Sequence, residues 1–383
     1  MNKPSQNLYF MSRALELAKR GIGLASPGAL VGAVLVRDGK VVGEGFYRYA
    51  KTSHAEAIAI QKAGTKASGA TLYVTLEPCA HFGRTAPCAD HVIQSGVQTV
   101  VCAMRDPNPL VRGKGLRKLR QAKIKLEVGT LEKDAARLNE AFMRYVTSRQ
   151  PFVTLKAAMT LDGKIAAAHQ RRGSATWITS EASRTRVHEI RHAHDAILVG
   201  INTILLDDPL LTDRSGRPRR RKLLRVVLDA NLKVPLRSNL VRTAEEDVLI
   251  FCSSGASPAK LAALRRRGIQ VVSGIYPQIR SSREKTQSFN WKTVLHHLGT
   301  RAIQSVVIEG GGETNWSAVK AGVVDKFLFF VAPKILGGHV HVPVFGGAGF
   351  ASLKNALRLS EITVERIAED ILVTGYPSRN DRH

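Results

Sequence analysis

The 383-residue sequence has few cysteines, few aromatic residues and few acids. Four cysteines give no basis for a disulfide framework, and the aromatic residues, 6% of the chain, are not interleaved with basic clusters as in a surface that binds single-stranded nucleic acid. No apolar run is long enough to cross a bilayer or to act as a signal peptide. These deficits predict a cytoplasmic protein that does not associate with a membrane.

Acids are outnumbered by bases, with 31 Asp and Glu against 57 Lys and Arg, for a net charge of +26. Such an excess is typical of nucleic-acid-binding proteins, but it also occurs in enzymes with phosphorylated substrates and in proteomes biased towards Arg. The bases cluster at 112–125 and 217–222. The second cluster lies in a segment with Gly and Pro and is interpreted first as a solvated loop.

The length suits two domains, and a hydrophobic content of 44% supports a full core in each. A break near 148–151, where a helical pattern ends at Pro151, predicts domains at 1–147 and 151–383. Both are predicted to be α/β. In the first, a hairpin turn at Asp38-Gly39 joins two strands, and the predicted strands are 31–36, 40–44, 70–76, 97–103 and 123–128. In the second, the predicted strands are 152–157, 196–200, 224–229, 248–252, 270–273, 305–309 and 326–331.

The most informative motif is His54-x-Glu56, followed by Pro78-Cys79 and then by Cys88. A neutral imidazole and two thiolates hold Zn²⁺ tetrahedrally with one position left for water, and the metal lowers the pKa of that water towards neutrality. Glu56 is not a ligand in this pattern, and it is placed to move a proton from the water to a departing amine. The motif therefore predicts a hydrolytic deaminase with Glu56 as catalytic residue and zinc on His54, Cys79 and Cys88.

Local sequence places the motif on helix starts. Ser53 is interpreted as the N-cap of one helix, and Pro78 as part of the first turn of a second helix that opens at Cys79. Two helix N-termini would then favour the Cys79 thiolate. Two other interpretations stay open, a plain capping box from Ser53 to Glu56 and a structural zinc site. A structural site normally has a fourth protein ligand, for which His81 is the nearby candidate.

Two segments of the second half have features of a phosphate site. The strand that ends at Glu309 runs into Gly310-Gly311-Gly312 and then a helical pattern, so backbone N–H groups at a helix start are free to meet an anion. A glycine run is equally compatible with a tight turn. Segment 203–209 places a hydroxyl and two acids on a turn after a strand, where the acids can also act as simple caps.

Taken together, these segments resemble the bifunctional riboflavin-biosynthesis deaminase/reductase family over almost the whole chain. The long insert between Cys79 and Cys88 discriminates well, because nucleoside and nucleic-acid deaminases usually place the two cysteines only two residues apart. In the first half the resemblance rests on the segments 54–57, 73–88 and 106–109. In the second half it rests on the segments 155–156, 160–166, 177–179, 207–212, 309–311 and 332–338.

The resemblance implies an α/β chain with an N-terminal cytidine-deaminase-like zinc domain and a C-terminal dihydrofolate-reductase-like domain that uses NADPH. The implied reactions are hydrolytic deamination of 2,5-diamino-6-(5-phosphoribosylamino)pyrimidin-4-one, then reduction of the ribosyl group of 5-amino-6-(5-phosphoribosylamino)uracil to ribityl. The implied partners are small phosphorylated pyrimidines and a second copy of the chain, which would form a dimer through the reductase half.

The resemblance also assigns residues in the second half. A guanidinium can grip a phosphate by two oxygens, which suits the two arginines assigned to substrate, although a helix-surface charge and a loop charge are their plain alternatives. The implied substrate contacts are Arg191, Leu211, Arg214 and Glu309. The implied cofactor contacts are Ala158, Trp177, Thr203, Asp207, Gly311, Gly312, Glu313, Thr314, Asn315, Trp316 and Ser317.

Four positions in the first half depart from the family pattern. Gly28-Ala29 stands where the family usually has Asn-Pro, Tyr47 where it has His, and Lys51 where it has Gly. The family's Asn and His are expected to hold the deaminase substrate, so one rival interpretation is an active reductase with a slowed or retargeted deaminase. A second rival, motivated by the charge, is a nucleic-acid-binding or RNA-editing protein. The long cysteine insert and the reductase-like half argue against it.

Overall fold

The computed structural model describes residues 3–168, 177–275 and 289–378. The chain divides into two compact units, one formed by Met1–Gln150 with Pro218–Arg221 and the other by Pro151–Arg217 with Lys222–His383. Pro218–Arg221 belongs to the first unit although it is distant in sequence, and the Arg220 amide donates to the Gly23 carbonyl at 2.8 Å. Residues 219–221 are half-buried, so the interpretation of this basic segment as a solvated loop is wrong for them.

The first unit contains a five-stranded sheet of order β2-β1-β3-β4-β5. Strand β1 pairs antiparallel with β2 and β3, whereas β3, β4 and β5 are parallel. Its strands are β1 (Gly32–Arg37), β2 (Lys40–Phe46), β3 (Thr71–Val74), β4 (Thr99–Cys102) and β5 (Lys125–Val128). Its helices are α1 (Lys3–Lys19), α2 (Ala55–Ala63), α3 (Cys88–Gln94), α4 (Lys114–Gln121), α5 (Glu132–Leu138) and α6 (Glu140–Ser148).

Alternation along the strands gives this sheet two buried faces. Leu35, Leu72 and Val100 belong to a cluster with helices α2, α3 and α4, whereas Val34 and Val101 belong to a cluster with α1 and α5. All five predicted strands are confirmed; β3, β4 and β5 are shorter than predicted, whereas β1 and β2 end later than predicted. The turn between β1 and β2 has positive φ at both central residues, as the Asp38-Gly39 signal predicts.

The second unit contains a nine-stranded sheet of order β11-β10-β9-β8-β12-β6-β13-β16-β15 and a two-stranded sheet of β14 and β7. Its strands are β6 (Phe152–Thr160), β7 (Lys164–Ala166), β8 (Ala196–Gly200), β9 (Leu224–Leu228), β10 (Val248–Cys252), β11 (Gln270–Ser273), β12 (Ser305–Ile308), β13 (Lys326–Ala332), β14 (Val342–Pro343), β15 (Leu359–Ile367) and β16 (Asp370–Pro377). Its helices are α7 (Glu181–Ala193), α8 (Ile201–Asp207), α9 (Asn239–Arg242), α10 (Pro258–Arg265), α11 (Trp291–Thr300) and α12 (Gly312–Lys320).

In the order of the sheet, the first seven strands, from β11 across to β13, are all parallel. The hairpin of β15 and β16 adds an antiparallel edge next to β13. All seven predicted strands of this unit are confirmed. Cys102 and Cys252 are buried and free, in agreement with the absence of a disulfide framework in the sequence. In the three described stretches of chain, no helix combines the length and the apolar character needed to span a membrane.

Candidate functional site

The three predicted zinc ligands converge in the first unit. His54 Nδ1 lies 3.1 Å from Cys88 Sγ and 3.6 Å from Cys79 Sγ, and the three ligand atoms are all within 4.8 Å of one another. One imidazole nitrogen and two thiol sulfurs suit the tetrahedral preference of zinc. Among the described residues, His81 is not part of this group, and its Nδ1 is buried without a hydrogen-bond partner. The geometry therefore favours three protein ligands over four.

His54 reaches the site because it is the residue just before α2. Its carbonyl accepts the Ile58 amide at 3.1 Å, so His54 is the N-cap, and its side chain makes no capping bond. The prediction that Ser53 is the N-cap is therefore wrong by one position. The imidazole faces the thiols because it is not used to cap the helix. Glu56 follows in the first turn of α2 and is buried, with 4% of its surface exposed.

Cys79 lies on an irregular segment, and the predicted helix at Cys79 is wrong. The second helix of the site is α3, which opens at Cys88 with Pro87 as its N-cap. Two contacts tie the ends of the insert together: the Cys88 amide donates to Cys79 Sγ at 3.3 Å, and the Ala89 amide donates to the Cys79 carbonyl at 3.0 Å. The segment between Cys79 and Cys88 therefore forms a closed loop, and the helix begins at the end of that loop. Two helix starts still meet at the site, those of α2 and α3.

Burial and mutual hydrogen bonding set the protonation of this group. The hydrogen bond from the Cys88 thiol, with help from His54, lowers the pKa of Cys79 to about 4. The same bond and burial raise the pKa of Cys88. The hydrogen bond to Cys79 raises the pKa of His54. Burial raises the pKa of Glu56 to about 7. One thiolate is thus preformed, and a divalent cation would favour loss of the second proton.

One aromatic ring contacts the zinc-ligand group, and an aromatic–cationic cluster lies in the same unit. The Tyr47 ring is perpendicular to the His54 imidazole, with centroids 5.2 Å apart. Arg84 donates to the Tyr49 carbonyl at 2.9 Å, and its guanidinium carbon lies 4.1 Å from the centre of the Tyr49 ring. The guanidinium carbon of Arg220 lies 4.4 Å from the centre of the same ring. Burial raises the pKa of Tyr47, and the charge of Arg84 opposes that rise. The sequence interpretation gave neither arginine a role.

Glu77, which was also missed, anchors the segment that follows β4. Its Oε2 accepts the amides of Asp106 at 3.2 Å and Gly113 at 3.0 Å, and its Oε1 accepts those of Gly115 at 3.0 Å and Leu116 at 3.3 Å. Four backbone donors on one carboxylate fix this loop beside the segment that carries Cys79. The signal for it is the acid immediately before Pro78-Cys79, whose partners are too distant in sequence to be foreseen.

In the second unit, an ion-pair network lies at the carboxyl ends of parallel strands, where open α/β sheets bind ligands. Arg191 of α7 grips Glu309, just after β12, through Nε at 2.8 Å and Nη2 at 2.9 Å. Lys156 of β6 lies 3.5 Å from Glu309 Oε2. Although burial raises the pKa of Glu309, Arg191 and Lys156 lower it to about 2. The structure thus joins two predicted substrate residues, and it adds Lys156, to which the sequence interpretation assigned no role.

The predicted phosphate loop forms the start of α12. Gly311 is the N-cap, and a Cβ built on it meets no atom within 4 Å, whereas a Cβ on Gly312 would lie 2.5 Å from the Pro343 carbonyl oxygen. The first turn of α12 also holds segment 343–350. Glu313 Oε1 accepts the Gly347 amide at 3.2 Å, Asn315 Nδ2 donates to the Val344 carbonyl at 2.9 Å, and the Trp316 ring packs edge-on to that of Phe350. Thr314 is buried, and Ser317 donates to the Thr314 carbonyl at 2.8 Å.

The remaining predicted residues lie on several elements. Thr203 and Asp207 are in α8, which begins directly after β8, and Ala158 is in β6. Leu211 is buried, and Arg214 is exposed. Trp177 is 59% exposed, and its ring centre lies 4.8 Å from the guanidinium carbon of Arg184.

Comparisons with known proteins agree with this geometry. Residues 4–104 match the cytidine and deoxycytidylate deaminase zinc-binding region, and residues 151–373 match the RibD C-terminal domain. The riboflavin biosynthesis protein RibD of Aquifex aeolicus is 42% identical over 95% of this chain and 96% of its own length. The RibD structure of Acinetobacter baumannii superposes with a TM-score of 0.85 at 34% identity, covering 98% of this chain and 100% of its own. A Thermotoga maritima structure, titled a diaminohydroxyphosphoribosylaminopyrimidine deaminase/5-amino-6-(5-phosphoribosylamino)uracil reductase, gives a TM-score of 0.81 at 36% identity, covering 98% of this chain and 99% of its own.

Proposed function

The chain belongs to the RibD family of bifunctional deaminase/reductases of riboflavin biosynthesis, and from this premise we propose the substrate and the working residues of each half. Residues 1–147 are the deaminase domain, which acts on 2,5-diamino-6-(5-phosphoribosylamino)pyrimidin-4-one. Residues 151–383 are the reductase domain, which converts the ribosyl group of 5-amino-6-(5-phosphoribosylamino)uracil to ribityl. The cofactors are zinc for the first step and NADPH for the second.

The observation that carries the deaminase proposal is the convergence of His54, Cys79 and Cys88 beside the buried Glu56. These three residues would hold zinc, which would supply a water molecule of lowered pKa. Glu56 lies buried in the first turn of α2, two residues after His54, and is not part of the ligand group. It takes a proton from the water and delivers it to the 2-amino group. A carbon–oxygen bond forms at C2, the carbon–nitrogen bond breaks, and ammonia leaves.

Arg84 and Arg220 support a phosphorylated substrate for this half. Their guanidiniums both lie against the Tyr49 ring, so two delocalised cations are held close together in the first unit. Guanidinium groups match phosphate oxygens in geometry and charge. We infer that these two arginines take the phosphate of the phosphoribosyl group. A nucleic-acid partner has no comparable support, because the match to the RibD C-terminal domain covers the second half.

In the reductase half, the bound NADPH would supply a hydride for C1 of the sugar, with a proton taken up from solvent, and the residues of this half mainly orient the two reactants. The backbone N–H groups at the start of α12, where Gly311 leaves open space, would bind a phosphate of the cofactor. The proposed cofactor contacts are Ala158, Trp177, Thr203, Asp207 and the residues from Gly311 to Ser317. The proposed substrate contacts are Leu211, Arg214 and the Arg191–Glu309 pair, held in place by Lys156.

Two further proposals concern the cellular location of the protein and its oligomeric state. Zinc ligation requires reduced thiols at Cys79 and Cys88, which suits a cytoplasmic location. A homodimer through the reductase half is supported by the edge hairpin, where Ile362, Val364 and Ile371 are 57%, 67% and 41% exposed. Sedimentation analysis of the chain with Val364→Glu, compared with the unchanged chain, tests this interface.

The decisive assay follows ammonia release from the phosphoribosylated diaminopyrimidinone by the zinc-loaded protein, with NADPH oxidation recorded in the same tube. Ammonia followed by NADPH oxidation establishes both steps. If neither occurs until the deaminated uracil is supplied, the deaminase half is slowed or retargeted, and only the reductase proposal stands. If the uracil is not reduced either, the proposal for the second half fails as well.

A further inference from the structure

Segment 208–215 of the second unit, which carries the proposed substrate contacts Leu211 and Arg214, contains a strained backbone position. Leu211 has a φ of 55°, in the left-handed region that a leucine rarely adopts. Such a conformation persists only where neighbouring groups fix it from several sides. The side chain of Leu211 is buried, whereas that of Arg214 is exposed. The position of Arg214 therefore depends on contacts made with the segment around it.

The last turn of α7 makes such contacts, and two consecutive residues of the helix reach two consecutive residues of the segment. Arg191 Nη1 donates to the Thr212 carbonyl at 3.1 Å. His192 Nδ1 lies 2.9 Å from Asp213 Oδ2. Because a carboxylate oxygen only accepts, the imidazole Nδ1–H is the donor in this bond. The end of α7 is thus joined to the residue that directly precedes Arg214.

The Asp213 carboxylate spans the residue that follows it. Its Oδ1 accepts the Ser215 amide at 2.9 Å, while its Oδ2 is held by His192. Arg214 lies between Asp213 and Ser215, so its backbone belongs to the turn that the carboxylate closes. Only 2% of the His192 side chain and 6% of the Asp213 side chain are exposed, so the bond between them is shielded from water. A shielded pair resists displacement, because separation would leave buried polar groups unsatisfied.

The two arginines proposed for the substrate are engaged differently. The Arg191 guanidinium holds the Glu309 carboxylate through Nε and Nη2, and the Thr212 carbonyl through Nη1. It is therefore committed to acceptors of the protein. The exposed side chain of Arg214 can instead present two N–H groups to a phosphate. A fixed backbone favours this contact, because less conformational freedom is then lost on binding.

We propose that the buried His192–Asp213 pair is a positioning element of the reductase site, which holds the backbone of Arg214 so that its guanidinium meets the phosphate of the phosphoribosyl substrate. This inference rests on the proposed reductase function and on the contact assigned there to Arg214. The pair acts through Arg214 and is itself assigned no contact with the substrate. Its loss should therefore weaken substrate binding and leave cofactor binding and turnover at saturation nearly unchanged.

The first test is Asp213→Ala, which removes both bonds of the carboxylate. We expect the KM for the deaminated uracil to rise about 10-fold, with kcat changed less than about 3-fold. The Kd of NADPH should not change. In an Arg214→Ala background, Asp213→Ala should raise KM little further, because the residue that it positions has been truncated. An unchanged KM in the single variant, or equal losses in both backgrounds, overturns the proposed role.

The second test separates positioning from stability. Asp213→Ala alone deprives a buried imidazole of this acceptor, whereas replacement of both members of a buried polar pair by apolar groups is often nearly neutral. His192→Leu combined with Asp213→Ala should therefore unfold close to the wild-type temperature and still show the raised KM. Glu189→Gln is the matched control, because Glu189 of α7 pairs with Arg217 at an exposed position, and its KM should not change. A double variant with wild-type KM, or a control with an equally raised KM, overturns the role.

The wild-type enzyme separates this inference from the proposed function. If the wild type does not reduce the deaminated uracil, the proposed reductase substrate is wrong, and the role of the pair falls with it. If the wild type is active and the variants of the pair keep its KM, the reductase proposal stands and the positioning role alone is overturned.

Discussion

Glu309 shows how a single carboxylate depends on its neighbours. Burial raises its pKa, but Arg191 and Lys156 outweigh burial and bring the pKa to about 2, below the ordinary value of 4.5. A carboxylate with a lowered folded-state pKa contributes stability that is complete above the ordinary pKa and is lost as the pH falls towards the folded-state pKa. The network should therefore weaken from about pH 4.5 downward.

We predict that Glu309→Gln destabilises the second unit by about 3 kcal/mol at pH 7, because two buried cations lose their counter-charge. The difference in unfolding free energy between wild type and variant should shrink as the pH falls from 4.5 towards 2, the window set by the ordinary and shifted pKa values. Urea unfolding at a series of pH values measures it. Glu365→Gln is the control, because Glu365 forms only an exposed pair with Arg186. A pH-independent difference would contradict the electrostatic explanation.

Glu56 separates chemistry from metal binding. We predict that Glu56→Gln lowers ammonia release by at least about 100-fold, because an amide cannot transfer the proton. Metal analysis should find zinc unchanged, since the three ligands are intact. Glu16→Gln, which alters an exposed acid on α1, should retain full activity. Loss of zinc from Glu56→Gln would show that the carboxylate supports the ligand set.

Residue types at short spacing were predictable, whereas long-range partners were not. His54 and Glu56 stand two positions apart, and the chemistry of zinc demands an imidazole and thiols near them, so the sequence pointed to this group directly. Lys156 and Glu309 are separated by 153 positions. Only the parallel pairing of β6 with β12 brings them together, and the sequence contains no signal for it.

At the scale of the element, adjacent glycines at the start of α12 have different surroundings. A Cβ on Gly311 meets nothing within 4 Å, but one on Gly312 would lie 2.5 Å from the Pro343 carbonyl oxygen and 2.9 Å from the Gly346 nitrogen. A Cβ at Gly311 therefore meets open space, whereas a Cβ at Gly312 clashes with the protein itself.

We predict that Gly311→Val weakens NADPH binding about 10-fold or more, because backbone N–H groups and phosphate can no longer approach closely. Its stability should fall by no more than about 1 kcal/mol, the cost of a poorer N-cap. Gly312→Ala should instead destabilise the fold by about 1–3 kcal/mol. Fluorescence titration with NADPH and thermal unfolding distinguish the two. An unchanged titration for Gly311→Val would place the phosphate site elsewhere.

Elements were predictable where burial leaves a pattern. The five strands of the first sheet and the seven strands from β11 across to β13 in the second are apolar on one or both faces, and these were predicted. The hairpin of β15 and β16 was missed; β15 is exposed over most of its length, so its apolar residues do not mark a buried face. The start of the second helix at the zinc site was misplaced because Pro78 and Pro87 are equally good local signals. Closure of the cysteine insert decides in favour of Pro87.

At the scale of the whole molecule, the basic residues that give the net charge of +26 lie in different structural environments. Part of the 112–125 cluster forms α4, where Lys118 pairs with Asp90. Arg220 of the other cluster lies on the Tyr49 ring in the first unit. Part of the excess of positive charge is therefore explained by a structural ion pair and by the proposed phosphate site. A separate nucleic-acid surface is not needed to explain that part.

Because zinc and NADPH are assigned to different units, the thermal stability of each unit tests the assignment of both cofactors. We predict that removal of zinc by a chelator abolishes ammonia release and lowers the unfolding temperature of one calorimetric transition, whereas NADPH raises that of the other. A ligand at 100 times its Kd stabilises the unit that binds it by about 2.7 kcal/mol. Cys88→Ser should remove the response to zinc and keep the response to NADPH. Cys252→Ser, which alters a buried cysteine outside the ligand group, should keep both responses. If zinc and NADPH shift the same transition, the two units unfold together and their sites are energetically coupled.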